Sequence, residues 1–242
     1  MKILIDVIIT ILVVSGAIAL QLIPIEPMYF YPETLPLDAP IRNEICKPWL
    51  FFVLVIVIPI IAIILYSDYL SKDGSYLNYI YPALYYATAV SLTAIVCSSI
   101  HILLGTPRPD SQSMCRTVNV SYWACSLVLD KSELVDQYHS FPSMEAAVSV
   151  AAALMINAFF ILPQNGFSEL VPVIAKSIPL LWALMVGAYC ISLSMYRIQD
   201  VISGYLIGYI VAKWTYSSFK VETPTRGETI LERKDNYAND DF

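Results

Sequence analysis

Six apolar runs divide the chain, near residues 3–25, 48–67, 79–104, 143–162, 171–195 and 200–219. A helix needs about 20 residues to cross roughly 30 Å of hydrocarbon, and each run is close to that length. Backbone N–H and C=O groups find no water inside a bilayer, so each run is predicted to be helical. The expected fold is all-α: a polytopic membrane protein with six transmembrane helices in a bundle and both termini on one side.

The polar intervals support that division. Residues 24–47, "PIEPMYFYPETLPLDAPIRNEICK", carry five prolines and three aromatics and are predicted to form an interfacial cover without helix. The intervals 68–78 and 163–170 are short and carry the turn sequences "SKDGS" and "PQNG", which suit antiparallel neighbours. One membrane domain is expected over 1–220. A charged tail, 221–242, is too poor in apolar residues to fold alone and is expected to be a disordered cytosolic segment.

Composition turns this pattern into a class. Of 242 residues 57% are hydrophobic and only 14% charged, more apolar surface than one soluble core of this size hides. The net charge of −6 leaves no basic footprint, so no nucleic-acid partner is expected. The first run, preceded by Lys2 and ending in "AIA" at 17–19, also has the make-up of a cleaved signal sequence, but its length favours a retained helix.

With cytosolic termini, eight Lys and Arg fall on the cytosolic side and six opposite, half of the eight lying at or in the tail. Asn119-Val120-Ser121 is the only glycosylation sequon, and its use at Asn119 would make the loop between the third and fourth runs lumenal or extracellular. Cys46, Cys115 and Cys125 would share that oxidising side, where a Cys115–Cys125 disulfide is expected. Cys97 and Cys190 fall within the runs as small packing residues.

Polar groups at the ends of membrane helices carry the candidate chemistry. "HILLGTPRPD" ends the third run, where Pro107 and Pro109 stiffen the backbone around Arg108. A guanidinium so held suits a phosphate oxyanion, and it would equally serve as an anchor reaching lipid headgroups. In "HSFPSMEAA", 139–147, Pro142 and Ser143 mark a helix start, an anion site in many proteins and ordinary capping in more. Glu145 in that first turn would satisfy the same donors and repel a phosphate. In "MYRIQD", 195–200, Tyr196 and Asp200 stand one helical turn apart and are expected to share a face, while Arg197 and Asp200 suit an ion pair.

In order and spacing these three stretches resemble the type 2 phosphatidate phosphatase superfamily, the lipid phosphate phosphatases. The pattern there is K-x6-R-P, then P-S-G-H, then S-R-x5-H-x3-D, at the extracytoplasmic ends of the helices. The resemblance implies phosphate binding by the Lys, Ser and two Arg, attack by the last His with Asp support, and protonation of the leaving alcohol by the first His. It implies no metal and no cofactor. Arg108 and Pro109 match the first stretch, with His101 at the Lys position. Pro142 and Ser143 match the second, with Met144 for Gly and Glu145 for the acid His. Asp200 matches the third, with Tyr196 at the nucleophile position, Cys190 at the Arg position and Tyr189 at the Ser position.

The catalytic positions are therefore Tyr196, Asp200 and Glu145, mostly substituted, and the expected phosphate-binding residues are Arg108, Ser143, His101 and Arg197. Losing a nucleophile ordinarily costs several orders of magnitude in rate, so a catalytically impaired, pseudophosphatase-like member is expected. It would have a regulatory, partner-binding or lipid-binding role. Its partners would be membrane lipids, phosphorylated ones among them, or another integral membrane protein. The alternatives are an active divergent phosphatase acting on phosphatidate-type lipids, and an unrelated membrane transporter with Arg108, Ser143 and Asp200 far apart. The site would face the lumen or exterior, in the endomembrane system, the endoplasmic reticulum included, or at the plasma membrane.

Overall fold

The structure, a computed structural model, describes residues 2–23, 39–40, 51, 53–70, 77–116, 125–159 and 170–222. The expected glycosylation site Asn119, Cys46, most of the interfacial cover and nearly all of the tail lie outside these residues. Among the described residues the regular structure is helical throughout. Helix α1 spans Lys2–Gln21, and a π-helical turn, Val53–Val57, leads into α2, Ile58–Leu70. Helix α3 spans Leu77–Leu104, and two short helices follow, α4 (Ser111–Cys115) and α5 (Lys131–Asp136). The chain closes with α6 (Met144–Phe159), α7 (Leu170–Ser192) and α8 (Ile198–Glu222).

Among the described residues three stretches are long and apolar enough to cross a membrane: Ile3–Gln21, Ile80–Leu104 and Val173–Ser192. Two more, Val53–Leu65 and Met144–Phe159, are apolar but shorter. Helix α8 has 25 residues, but Asp200, Lys213 and its many small polar residues dilute its hydropathy. It also runs to Glu222, two residues into the interval expected to be tail.

Helix α6 lies at the centre and packs against α3, α7 and α8. It can do so because its inner surface is made of small residues: Ala146, Ala147, Ala151, Ala152 and Ala153 are all fully buried. Helix α8 answers with Gly204 and Gly208, where an added Cβ would fall 2.4 Å from the Ser143 carbonyl oxygen and 2.1 Å from that of Ala147. This is the close backbone approach that small residues permit between membrane helices. Around it, α1 packs on α3 through Thr10 and Thr88, whose hydroxyl oxygens are 3.3 Å apart, and Tyr86 of α3 donates to the Val55 carbonyl in the π turn.

The outer faces are the reverse of a soluble protein's. Ile8, Ile11 and Leu12 on α1 and Ile178, Leu181 and Met185 on α7 are exposed. Helices greasy on their outward faces are helices solvated by lipid. The chain is an integral membrane protein.

Candidate functional site

Helix α3 ends at Leu104, and Gly105 takes a positive φ of 50° while its N–H bonds the His101 carbonyl. Glycine adopts that left-handed cap without a Cβ penalty. The "TPRPD" turn that follows is tied to the segment before α6. Arg108 N–H donates to the Gln137 carbonyl (2.9 Å), Ser140 N–H to the Thr106 carbonyl (3.1 Å), and Phe141 N–H to Thr106 Oγ1 (2.8 Å). Proline has no N–H to offer, so Thr106 and Arg108 carry the pairing between Pro107 and Pro109. A disulfide joins Cys115 to Cys125 beyond this turn, and Ala39 N–H donates to the Pro109 carbonyl (3.1 Å).

The His101 Nε2 lies 2.7 Å from the Pro142 carbonyl oxygen, so that nitrogen carries a proton, since a carbonyl only accepts. Its ring also packs on that of His139, with centroids 5.0 Å apart. His101 thus ties α3 to the Phe141–Pro142 bend, which is a cis peptide. Ser143 then starts α6: its Oγ accepts from Ala146 N–H (3.3 Å), the capping expected of it. Its own N–H donates to the Asp200 carbonyl (2.9 Å), so the start of α6 is fastened to the first turn of α8.

Tyr196 and Asp200 do not share a helical face as expected. Helix α8 begins only at Ile198, because the Asp200 carboxylate accepts the Arg197 N–H (Oδ2, 3.0 Å) and closes the helix start there. Tyr196 falls in the preceding reversal, after Ser194 at φ 62°, and its side chain turns inward to only 3% exposure. There it packs with Ala146, Cys190 and Val201. The expected Arg197–Asp200 pairing is present at 4.0 Å, and Arg197 Nη1 also donates to the Pro107 carbonyl (3.2 Å). Asp200 is completed by the Ser140 hydroxyl, whose Oγ donates to Oδ2 at 2.6 Å.

The Arg108 guanidinium lies over the Tyr196 ring, 5.9 Å from its centroid, with Asp136 Oδ2 3.9 Å from Nη2. Burial works against the Arg108 cation, but the acidic groups around it, Tyr196, Asp136, Glu145 and Asp110, hold its pKa above the ordinary arginine value. Burial pushes the Tyr196 phenol well above the usual tyrosine range, and the adjoining Glu145 carboxyl raises it further, against the opposing pull of Arg108. Burial lowers Arg197, with Asp200 acting in the opposite sense. Contact with the His139 imidazole (Nδ1–Oδ1 3.7 Å), and then the Arg108 charge, hold Asp136 below the usual carboxylate value.

The eight residues His101, Arg108, Asp136, Ser143, Glu145, Tyr196, Arg197 and Asp200 thus meet at one end of the bundle. Asp136, Ser140, His139 and the Pro107 carbonyl are not visible as site groups in the sequence, because their ties to Arg108, Asp200, His101 and Arg197 reach far along the chain. Buried donors are left over: Arg108 Nε, Arg197 Nε and Arg197 Nη2 have no hydrogen-bond partner, and on the acidic side neither has Glu145 Oε2. Among the described residues no three His, Cys, Asp or Glu side chains are grouped as metal ligands.

Two comparisons with known proteins bear on this arrangement. The relative "Lipid phosphate phosphatase 1" from Arabidopsis thaliana is 27% identical over 231 residues. That match takes in 86% of this chain and 66% of the relative, so the chain spans just under two thirds of the relative's length. No solved structure matches. The PAP2 superfamily profile matches residues 82–224, from α3 to just beyond α8, and so takes in every stretch that builds the site. The reading as an unrelated transporter fails on both this match and the tight grouping of Arg108, Ser143 and Asp200: the chain belongs to the PAP2 superfamily, as a lipid phosphate phosphatase-like membrane protein.

Proposed function

We propose that this protein is a catalytically silent member of its superfamily, with a regulatory, partner-binding or lipid-binding role in the membrane. The observation that carries the reading is a tyrosine, Tyr196, buried to 3% exposure at the nucleophile position with the Glu145 carboxyl against it. A buried phenol whose pKa is pushed well above its ordinary value keeps its proton, and the carboxyl beside it disfavours the phenolate that would have to attack phosphorus. Asp200, whose family role is to orient the nucleophile, instead engages Ser140 and Arg197. Glu145, at the acid position, takes the place of an imidazole whose proton would be available near neutral pH.

On this reading the family scaffold persists as six membrane helices with both termini in the cytosol, and the grouped residues face the lumen or exterior. Arg108, Ser143, His101 and Arg197 form a weakened headgroup pocket, Asn119 carries a glycan, and the location is an endomembrane such as the endoplasmic reticulum, or the plasma membrane. The direct test is phosphate release by the purified full chain, without added metal, from phosphatidate, lysophosphatidate, diacylglycerol pyrophosphate and sphingoid phosphates. No release is expected. Turnover that disappears in Tyr196→Phe or Asp200→Asn would establish the active, divergent phosphatase instead.

A further inference from the structure

The carboxylates around Arg108 are not equivalent. Asp136 lies 3.9 Å from Nη2, but its side chain is 64% exposed, so water and salt screen it. The Asp200 carboxylate is engaged by the Ser140 hydroxyl and the Arg197 N–H. Glu145 differs from both: its carboxyl takes a side-chain hydrogen bond from Tyr196, yet one oxygen is left over. It leaves the first turn of α6, next to Ala146, which packs on Tyr196, and Tyr196 in turn lies under Arg108. Its Oε2 is buried with no hydrogen-bond partner, and so is Nε of Arg108, whose side chain is only 10% exposed. A carboxyl and a guanidinium thus both meet the Tyr196 side chain at a helix start.

We propose that Glu145 is a built-in competitor for anions: its carboxylate takes up the attraction of Arg108 and of the α6 N-terminus that a phosphate group would use, and this is what weakens the site's hold on phosphomonoesters. This rests on reading the pocket as a phosphate-type cradle without catalysis. A bound phosphate would gain from the Arg108 cation and the N–H groups of the first turn, but it would meet a like charge rooted in that same turn. One unit charge several ångströms away in a partly buried site shifts affinity on the order of 10- to 100-fold. Replacing Glu145 by its neutral amide removes that charge and keeps the shape.

The test compares binding to detergent-solubilised full chain by titration calorimetry. The probes are inorganic phosphate and, separately, short-chain phosphatidate in mixed micelles, with short-chain phosphatidylcholine as the lipid control. Wild-type protein is expected to show no saturable binding of either phosphate probe at millimolar concentration. Glu145→Gln is expected to tighten binding by at least about tenfold, and Arg108→Gln in that background to abolish the gain. Gain for both probes identifies phosphate itself as the ligand, and gain for phosphatidate alone identifies the lipid headgroup; either supports the competitor role.

Wild-type binding as tight as that of Glu145→Gln would overturn the proposal, as would a folded Glu145→Gln with no gain or a gain that survives Arg108→Gln. Glu145→Ala is the second variant should the amide disturb the bundle, and the wild-type titration needs no variant at all. Phosphate release by the wild-type protein would contradict catalytic silence, and the binding comparison would still decide the role of Glu145.

Discussion

The contact between α8 and the start of α6 offers a sharp quantitative prediction. At Gly204 an added Cβ would lie 2.4 Å from the Ser143 carbonyl oxygen and 3.3 Å from both Ala146 Cβ and Ala147 N. Side-chain carbons do not approach other atoms within 3.0 Å, so Gly204→Ala forces the two helices at least 0.6 Å apart at this point. The nearest of these, the Ser143 carbonyl oxygen, is backbone and cannot swing aside. The same displacement stretches the 2.9 Å hydrogen bond from Ser143 N–H to the Asp200 carbonyl beyond useful length.

Overpacking costs about 1–3 kcal/mol and the lost hydrogen bond about 1 kcal/mol, giving an expected loss of about 2–4 kcal/mol. For a chain of this size that lowers the unfolding midpoint by roughly 4–16 °C. Gly16→Ala is the control, because a Cβ there meets nothing closer than Ile95 Cδ1 at 4.0 Å. It should leave the midpoint unchanged or raise it slightly, by the better helix propensity of alanine. Both are read by thermal unfolding in one detergent, followed by fluorescence. A Gly204→Ala midpoint within about 2 °C of wild type, where a loss four or more degrees deep is expected, would refute the close approach.

Three further outcomes follow from the geometry. Unfolded tyrosine ionises near pH 10 while Tyr196 stays protonated in the fold, so the unfolded state alone releases this proton and stability falls as pH rises above about 10; denaturant titrations should show a shallower alkaline loss in Tyr196→Phe than in wild type. Asp200→Ala strands the Ser140 hydroxyl and the Arg197 N–H and removes the counter-charge of the Arg197 guanidinium, an expected cost of about 3–5 kcal/mol by chemical unfolding, with Asp200→Asn losing less because it keeps an acceptor. Reducing the Cys115–Cys125 bridge, which links residues 10 apart in sequence, should cost up to about 3 kcal/mol, and Cys115→Ser should match the reduced wild type in the same measurement.

The positions of the helices were legible because hydropathy follows directly from the solvent. Their roles in the bundle were less so. Helix α6 reads in hydropathy like its neighbours, and only its small alanines place it at the centre. Helix α8 is diluted by polar residues, and its Gly204 and Gly208 carry no hydropathic signal although they set the closest approach to a neighbouring backbone. At the site, Arg108, Ser143 and Asp200 stood out through the prolines and helix starts beside them. Helical spacing misplaced Tyr196, because the Asp200 carboxylate capping the Arg197 N–H begins α8 two residues after the tyrosine. The ties of Ser140 to Asp200, His101 to Pro142 and Arg197 to Pro107 span 60, 41 and 90 residues, beyond the reach of any local periodicity.

Catalytic silence is tested most directly by phosphate release from phosphatidate in mixed micelles, with the wild-type full chain compared against Tyr196→Phe. The expected result is release at the background of protein-free micelles for both. Metal-independent release by wild type that vanishes on removal of the Tyr196 hydroxyl would contradict it.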